Sequence, residues 1–198
     1  MRTKRAGESA LLLLDVVDLL TSRKISYAVV GAMAAAVHAA VRASMDADVV
    51  VSAAMAEVEN LSRACRTAGF LTELTRGGPD DPIPALLRLS DAYANRVDLL
   101  IGLQGFDSLA FSRLLVVPFQ GRALNFIGRE DFIAMKVFAG GPIDLLDARR
   151  AIAAAGNALD AGLARRLATR YGREAAAALE PLLARAATSG DASPPTSK

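Results

Sequence analysis

Three aspartates stand where a protein could bind a metal ion. Asp46 and Asp48 lie two residues apart in the segment Asp46–Ser52, and Asp98 lies near the start of Arg96–Ile101. Apart from these acids, Ser52 and Arg96, both segments are apolar, which is typical of buried strands. Because residues two apart in a strand point to the same face, we expect Asp46 and Asp48 to project together.

Neighbouring carboxylates repel each other, and a divalent cation such as Mg²⁺ or Mn²⁺ relieves that repulsion. If the strand of Asp98 pairs beside the strand of Asp46 and Asp48, the three acids form one cluster. Such a cluster can hold two metal ions that stabilise the attacking and leaving oxygens of a phosphoryl transfer. Asp98 could instead accept the proton of an attacking hydroxyl. The structural alternative is a set of solvated acids at strand ends.

A turn upstream of the acids contains residue types that suit phosphate binding. Gly31 and Ala32 separate a predicted strand, Ser26–Val30, from an Ala-rich helix predicted over Met33–Val41. Glycine lets the backbone approach a phosphate closely, and a helix N-terminus offers free N–H groups and a positive dipole end. Arg42 follows this helix and could contact a phosphate or, equally well, pair with a carboxylate.

Hydrophobic periodicity and Gly/Pro turn signals predict the elements that must position these residues. The order is mixed α/β first and helical afterwards, with a boundary near Ile127–Arg129. We predict a core over 1–128, a helical region over 129–187 packed on it, and a disordered Ser/Pro/Thr-rich tail over 188–198. Helices are predicted over Glu8–Arg23, Ala53–Ala68, Phe106–Arg113, Glu130–Ala139, Asp144–Ala155, Ala161–Tyr171 and Arg173–Ala187, and further strands over Phe70–Thr75, Ala85–Leu89, Arg96–Ile101, Leu114–Val117 and Ala123–Phe126.

Composition narrows the class of protein. A chain of 198 residues fits one domain, or one with a small helical appendage. The net charge of +2 does not indicate broad electrostatic binding to nucleic acid. Asp15 and Asp18 interrupt the first apolar run, so we predict neither a signal peptide nor a membrane partner. A single cysteine, Cys65, excludes an internal disulfide and favours a cytoplasmic location. We expect Cys65 to be buried and inert, and His38, the only histidine, to have a packing or helix-surface role rather than a catalytic one.

The ordered set of residues resembles the nucleotidyltransferase superfamily that includes DNA polymerase beta. It is most similar to small bacterial members of the type found in abortive-infection toxin–antitoxin systems. Those members carry a strand, a Gly-Gly or Gly-Ser turn, a helix, an Arg, a Ser/Thr-x-Asp-x-Asp motif and a later strand Asp. The resemblance covers roughly Ser26 to Ile152, and Ala32 departs from it because the family usually has Gly or Ser there. The matching positions are Gly31-Ala32, Arg42, Ser44-Met45-Asp46-Ala47-Asp48 and Asp98.

The resemblance implies an α/β (α+β) fold, with a nucleotidyltransferase-type mixed sheet flanked by helices and followed by a C-terminal helical region. It implies transfer of an NMP from an NTP, with Mg²⁺ or Mn²⁺ on Asp46, Asp48 and Asp98. The acceptor would be a tRNA, a protein hydroxyl or a small molecule, and the protein would be a toxin with an antitoxin partner. The implied nucleotide-binding residues are Gly31, Ala32, Arg42, Ser44 and Lys136, the last on a later helix that faces the nucleotide in the family.

Two other functions stay open at this point. The first is a non-catalytic nucleotide-binding or protein-interaction module on the same fold, which Ala32 favours because it lacks the hydroxyl of Ser and the freedom of Gly. The presence of all three acids argues against it, since stability does not require clustered carboxylates. The second is an α/β interaction protein with accidental acids, which predicts that Asp46→Asn and Asp48→Asn leave function intact.

Overall fold

The computed structural model describes residues 1–38 and 46–189. Arg42 and Ser44, predicted to bind nucleotide, therefore lie outside the described residues. The helices are α1 (Ser9–Ser22), α2 (Gly31–Val37), α3 (Val58–Thr67), α4 (Arg129–Ala139), α5 (Pro142–Ala155), α6 (Ala161–Tyr171) and α7 (Arg173–Ser189). The strands are β1 (Tyr27–Val30), β2 (Asp46–Val51), β3 (Leu71–Arg76), β4 (Ala85–Ser90), β5 (Arg96–Ile101), β6 (Leu115–Phe119) and β7 (Arg122–Phe126).

The strands of the described ranges form one mixed sheet in the order β3-β4-β5-β2-β1-β7-β6. β2 pairs in parallel with β5 and antiparallel with β1, and β1 pairs in parallel with β7. The predicted strands Ala85–Leu89 and Arg96–Ile101 form a hairpin, because β4 and β5 pair antiparallel from Ala85 opposite Ile101 to Ser90 opposite Arg96. The predicted mixed sheet flanked by helices is therefore what the chain forms.

The apolar residues of the central strands are buried on the sheet face that α1 and α3 cover. Ala47, Val49, Val97 and Leu99 alternate with the more polar positions and are all fully buried. α1 contacts β2 and β5, and α3 contacts β3 and β4. Each fully buried Val or Leu side chain contributes about 1.5–3 kcal/mol to the stability of the folded state. The opposite face of β2 and β5 is therefore free to carry charged residues.

Several predicted helix bounds need correction. α2 begins at Gly31 rather than Met33, and α5 begins at Pro142 rather than Asp144 because Pro is well suited to the first helical position. Residues 106–113 form only a 3-10 helix, Ser108–Ser112. α7 continues to Ser189, two residues beyond the predicted end of this helix at Ala187.

The described residues divide into two compact units. The first comprises 1–36 and 46–128 and contains the sheet with α1 and α3. The second comprises 37–38 and 129–189 and contains α4 to α7, with Phe132, Ile133 and Ile152 in its core. None of the helices in these ranges is long and apolar enough to span a membrane. The predicted packing of the helical region on the core stays a prediction.

Candidate functional site

The strand register brings the predicted acids to one face of the sheet. Asp48 on β2 is the direct partner of Asp98 on the parallel strand β5. Neighbouring strands are about 4.8 Å apart, so the two residues stand side by side. Asp46 precedes Asp48 by two residues and points to the same face. The expectation that the strand of Asp98 pairs beside the strand of Asp46 and Asp48 is confirmed.

Arg88 binds the carboxylate of Asp98 with both arms of its guanidinium group. Its Nε donates to Oδ1 and its Nη2 donates to Oδ2, each over 3.0 Å. The two residues are register partners on β4 and β5, and the hydrogen bond to Asp98 raises the pKa of Arg88. Glu73 on β3 lies 3.6 Å from Nη1 of the same arginine. The register of the hairpin therefore places Arg88 directly opposite Asp98.

Arg96 binds Asp46 in the same two-armed way. Its Nε donates to Oδ1 and its Nη2 to Oδ2, again over 3.0 Å each. Arg96 is the register partner of Asp46, as Arg88 is of Asp98. Neither arginine was among the residues predicted to act at the site. The signal for Arg96 is its position two residues before Asp98, which places both on one face of β5.

Gly31 stands against the carboxylate of Asp48. Its φ is +60°, and a Cβ built on it would lie 2.0 Å from Oδ2 of Asp48. Only glycine meets both conditions, because an L side chain disfavours this φ and would overlap the carboxylate. The glycine is therefore required by Asp48, and its predicted contact with a phosphate stays a prediction. Ala32, the next residue, is buried with 4% exposure.

The donor set fits a hard divalent cation in its chemistry but not in its present arrangement. Carboxylate oxygens are the ligands that Mg²⁺ and Mn²⁺ take, and Asp48 and Asp98 present them side by side. Over residues 1–38 and 46–189, however, no three His, Cys, Asp or Glu side chains converge as a metal-holding group. Guanidinium groups already occupy the carboxylates of Asp46 and Asp98. A cation there requires those ion pairs to open.

A buried asparagine joins the N-terminal arm to the start of β5. Asn95 is 1% exposed and accepts a hydrogen bond from the N–H of Glu8 over 2.6 Å. Its Nδ2 donates to the carbonyl of Arg5 and to Oδ2 of Asp91, both over 2.9 Å. Burial tends to raise the pKa of Asp91, but hydrogen bonds led by that from Asn95 outweigh it and lower the pKa. This network, which the sequence did not suggest, fixes the residue before Arg96.

Lys136, predicted to contact a triphosphate, is paired with two acids of the helical unit. Its Nζ lies 2.6 Å from Oδ1 of Asp144 and 3.2 Å from Oδ2 of Asp147, which is fully buried. The ammonium also lies 5.7 Å from the ring centroid of Phe132. In the described structure Lys136 therefore forms ion pairs within the helical unit. The triphosphate contact is not tested by this and stays a prediction.

Two expectations about unreactive residues are confirmed. His38 is 5% exposed, and its ring centroid lies 5.1 Å from that of Phe132, as expected of a packing residue. Cys65 is fully buried, and burial raises the pKa of its thiol to about 11. A thiol with that pKa carries almost no thiolate at neutral pH, so Cys65 is inert as expected.

Comparison with known proteins identifies the fold. No protein-family model matches the chain, and no curated protein matches it in sequence. Among solved structures, ANT(2'')-Ia in complex with adenylyl-2''-tobramycin is similar with a TM-score of 0.57 at 12% identity, over 82% of this chain and 98% of that one. The solution structure of the antibiotic-resistance factor ANT(2'')-Ia gives 0.54 at 13%, over 86% and 94%. An antigenic nucleotidyltransferase-like protein from Paracoccidioides brasiliensis gives 0.53 at 14%, over 94% and 95%. The fold that the resemblance implied is confirmed: the chain has the nucleotidyltransferase fold.

Proposed function

We propose that this protein is a metal-dependent nucleotidyltransferase that moves an NMP from an NTP to an acceptor hydroxyl. One observation carries the proposal: Asp48 and Asp98 are register partners on adjacent parallel strands, with Asp46 on the same face, in a nucleotidyltransferase fold. Asp46, Asp48 and Asp98 would hold Mg²⁺ or Mn²⁺. When bound, the cation neutralises charge on the transferring phosphate and its leaving group.

The residues of the chain have separate tasks in this reaction. The acceptor oxygen forms a bond to the α-phosphorus, the bond from that phosphorus to the bridging oxygen breaks, and pyrophosphate leaves. The hydroxyl proton passes to a carboxylate, for which Asp98 is the candidate because it stands beside Asp48. Gly31 leaves the space that the Asp48 carboxylate occupies. Ala32, Arg42, Ser44 and Lys136 complete the proposed nucleotide-binding set.

A small molecule is the acceptor class with some support. ANT(2'')-Ia, an antibiotic-resistance factor of similar fold, has a structure in complex with adenylyl-2''-tobramycin. An RNA or a protein hydroxyl stays open, as does a toxin role with an antitoxin partner, because both depend on the family resemblance alone. We propose a cytoplasmic location because the single cysteine, Cys65, is buried and free and cannot form an internal disulfide.

Label transfer tests the proposal directly. The full chain is incubated with each α-³²P-labelled NTP, Mg²⁺ or Mn²⁺, and in turn an aminoglycoside panel, total tRNA and a bacterial protein extract. Asp48→Asn is the test variant. Glu180→Gln is the matched control because Glu180 is an exposed acid paired with Arg165 in the helical unit. We expect label on one acceptor class with the wild type and the control, and none with Asp48→Asn.

The alternative is a non-catalytic nucleotide-binding or interaction module, which the arginine pairs on Asp46 and Asp98 favour. It predicts no label on any acceptor and either metal-independent NTP binding or none. Equal labelling by the wild type and Asp48→Asn would refute the roles proposed for the acids. Metal-dependent NTP binding without transfer of label would support the proposed nucleotide site but contradict the proposed transfer reaction.

A further inference from the structure

Two arginines occupy the carboxylates that a cation needs. Arg88 and Arg96 each bind both oxygens of one aspartate, with all four N–O distances at 3.0 Å. Each arginine is the strand-register partner of the acid it binds, so both lie on the acid-bearing face. Both carboxylate oxygens of Asp46 and both of Asp98 therefore already face a positive charge.

A divalent cation and a guanidinium group compete for these oxygens. The fork of an arginine uses both oxygens of a carboxylate, and a metal ligand must turn at least one oxygen to the cation. Two positive groups on the same carboxylate also repel each other. Binding of a cation at Asp46 or Asp98 must therefore displace, in whole or in part, the guanidinium of Arg96 or Arg88.

Each displaced arginine remains on the face where the triphosphate would bind. The side chains of Arg88 and Arg96 are 34% and 41% exposed, so both can reorient without breaking the core. The guanidinium fork matches phosphate oxygens as well as it matches a carboxylate. Glu73, 3.6 Å from Arg88, offers a weaker second partner to that arginine only.

We propose that Arg88 and Arg96 hold the carboxylates in the metal-free protein and exchange onto the phosphates of the nucleotide when metal binds. This inference depends on the proposed function, since it names the residues that receive the triphosphate. The two arginines then bind phosphate, and whether they weaken or strengthen ligand binding depends on the ligand. They oppose binding of the cation alone and favour binding of the cation together with a polyphosphate.

The test measures the two bindings separately and without catalysis. Binding of Mn²⁺ alone is followed by electron paramagnetic resonance, and binding of inorganic tripolyphosphate at saturating Mn²⁺ by calorimetry. The variants are Arg88→Gln and Arg96→Gln, each checked for folding by circular dichroism. Arg165→Gln is the matched control because Arg165 makes the same two-armed pair with Glu180, at 2.8 and 3.0 Å, in the helical unit.

The expected result is a pair of opposite effects. Loss of a partly exposed ion pair changes a binding constant by about fivefold, so each variant should bind Mn²⁺ about fivefold more tightly than the wild type. Each should bind tripolyphosphate about fivefold or more weakly. Arg165→Gln should change neither constant. Arg88→Lys keeps the charge without the fork and should lie between the wild type and Arg88→Gln in both assays.

Three outcomes would overturn the inference. They are Mn²⁺ affinity that is unchanged or weakened in both variants, tripolyphosphate affinity that is unchanged in both, and absence of Mn²⁺ binding in every protein. A purely structural arginine would weaken both bindings together or neither. If the label-transfer assay succeeds while the opposite effects are absent, the exchange is wrong and the proposed function stands. If transfer fails but the opposite effects appear, the arginines act as inferred at a site that does not catalyse NMP transfer.

Discussion

The substitution Gly31→Ala should destabilise the protein more than the same substitution at a glycine of similar φ whose added Cβ would contact no other atom. An L residue at φ +60° costs about 1–2 kcal/mol. The added Cβ would also lie 2.0 Å from Oδ2 of Asp48, whereas ordinary contact begins at 3.4 Å. The carboxylate must therefore move by about 1.4 Å, and such overpacking costs a further ~1–3 kcal/mol. We expect Gly31→Ala to lower the free energy of unfolding by about 2–5 kcal/mol.

Gly121 supplies the matched control for this measurement. Its φ is +74°, and a Cβ there meets nothing within 4 Å, so Gly121→Ala should cost only the backbone penalty of about 1–2 kcal/mol. Urea unfolding followed by circular dichroism measures both variants. When Asp48 is replaced by Ala, its carboxylate is gone and its Cβ lies 3.0 Å from the Cβ added at residue 31. The loss of unfolding free energy caused by Gly31→Ala in this background should therefore approach the loss caused by Gly121→Ala.

Equal losses for Gly31→Ala and Gly121→Ala would refute the close approach of Asp48 to Gly31. The same conclusion would follow if the cost of Gly31→Ala were unchanged when Asp48 is replaced, because the double-mutant cycle isolates their contact. A large loss that falls in the Asp48→Ala background would support the geometry. It would also show that the glycine of the turn serves the carboxylate.

Three further predictions concern buried polar groups. Lys136→Met removes the ammonium that lies 3.2 Å from the buried carboxylate of Asp147 and should cost about 3–5 kcal/mol in urea unfolding; a loss below 1 kcal/mol would contradict the pairing. Cys65, with a pKa of about 11, should react with a thiol reagent at pH 8 only after denaturation, and rapid reaction of the native protein would contradict its burial. The pKa of Asp91 is lower in the folded protein than in the unfolded chain, so its ionised carboxylate stabilises the fold at pH values above the unfolded-chain pKa. This stabilisation is lost as the pH falls below about 4. Asn95→Ala should therefore reduce stability at pH 7 by about 1–3 kcal/mol and flatten this acid dependence, measured by thermal unfolding from pH 7 to 2.

The sequence by itself determined the central strands and the acids they carry. Alternation and buried apolar runs predicted strands over Asp46–Ser52 and Arg96–Ile101, which the structure shows as Asp46–Val51 and Arg96–Ile101, because a period of two follows from strand geometry alone. The same period placed Asp46 and Asp48 on one face. The turn at Gly31 was also evident, since glycine marks backbone that other residues cannot adopt.

Only the tertiary structure decided which residues face one another. The pairing of Asp48 with Asp98 depends on two strands distant in the chain lying in parallel at a fixed register, which no local pattern encodes. The same register sets Arg96 on Asp46, and the antiparallel hairpin sets Arg88 on Asp98. The acids were therefore predictable as a set, whereas their neutralisation by arginine required long-range pairing, because electrostatic partners are determined by distance in space and not by separation in sequence.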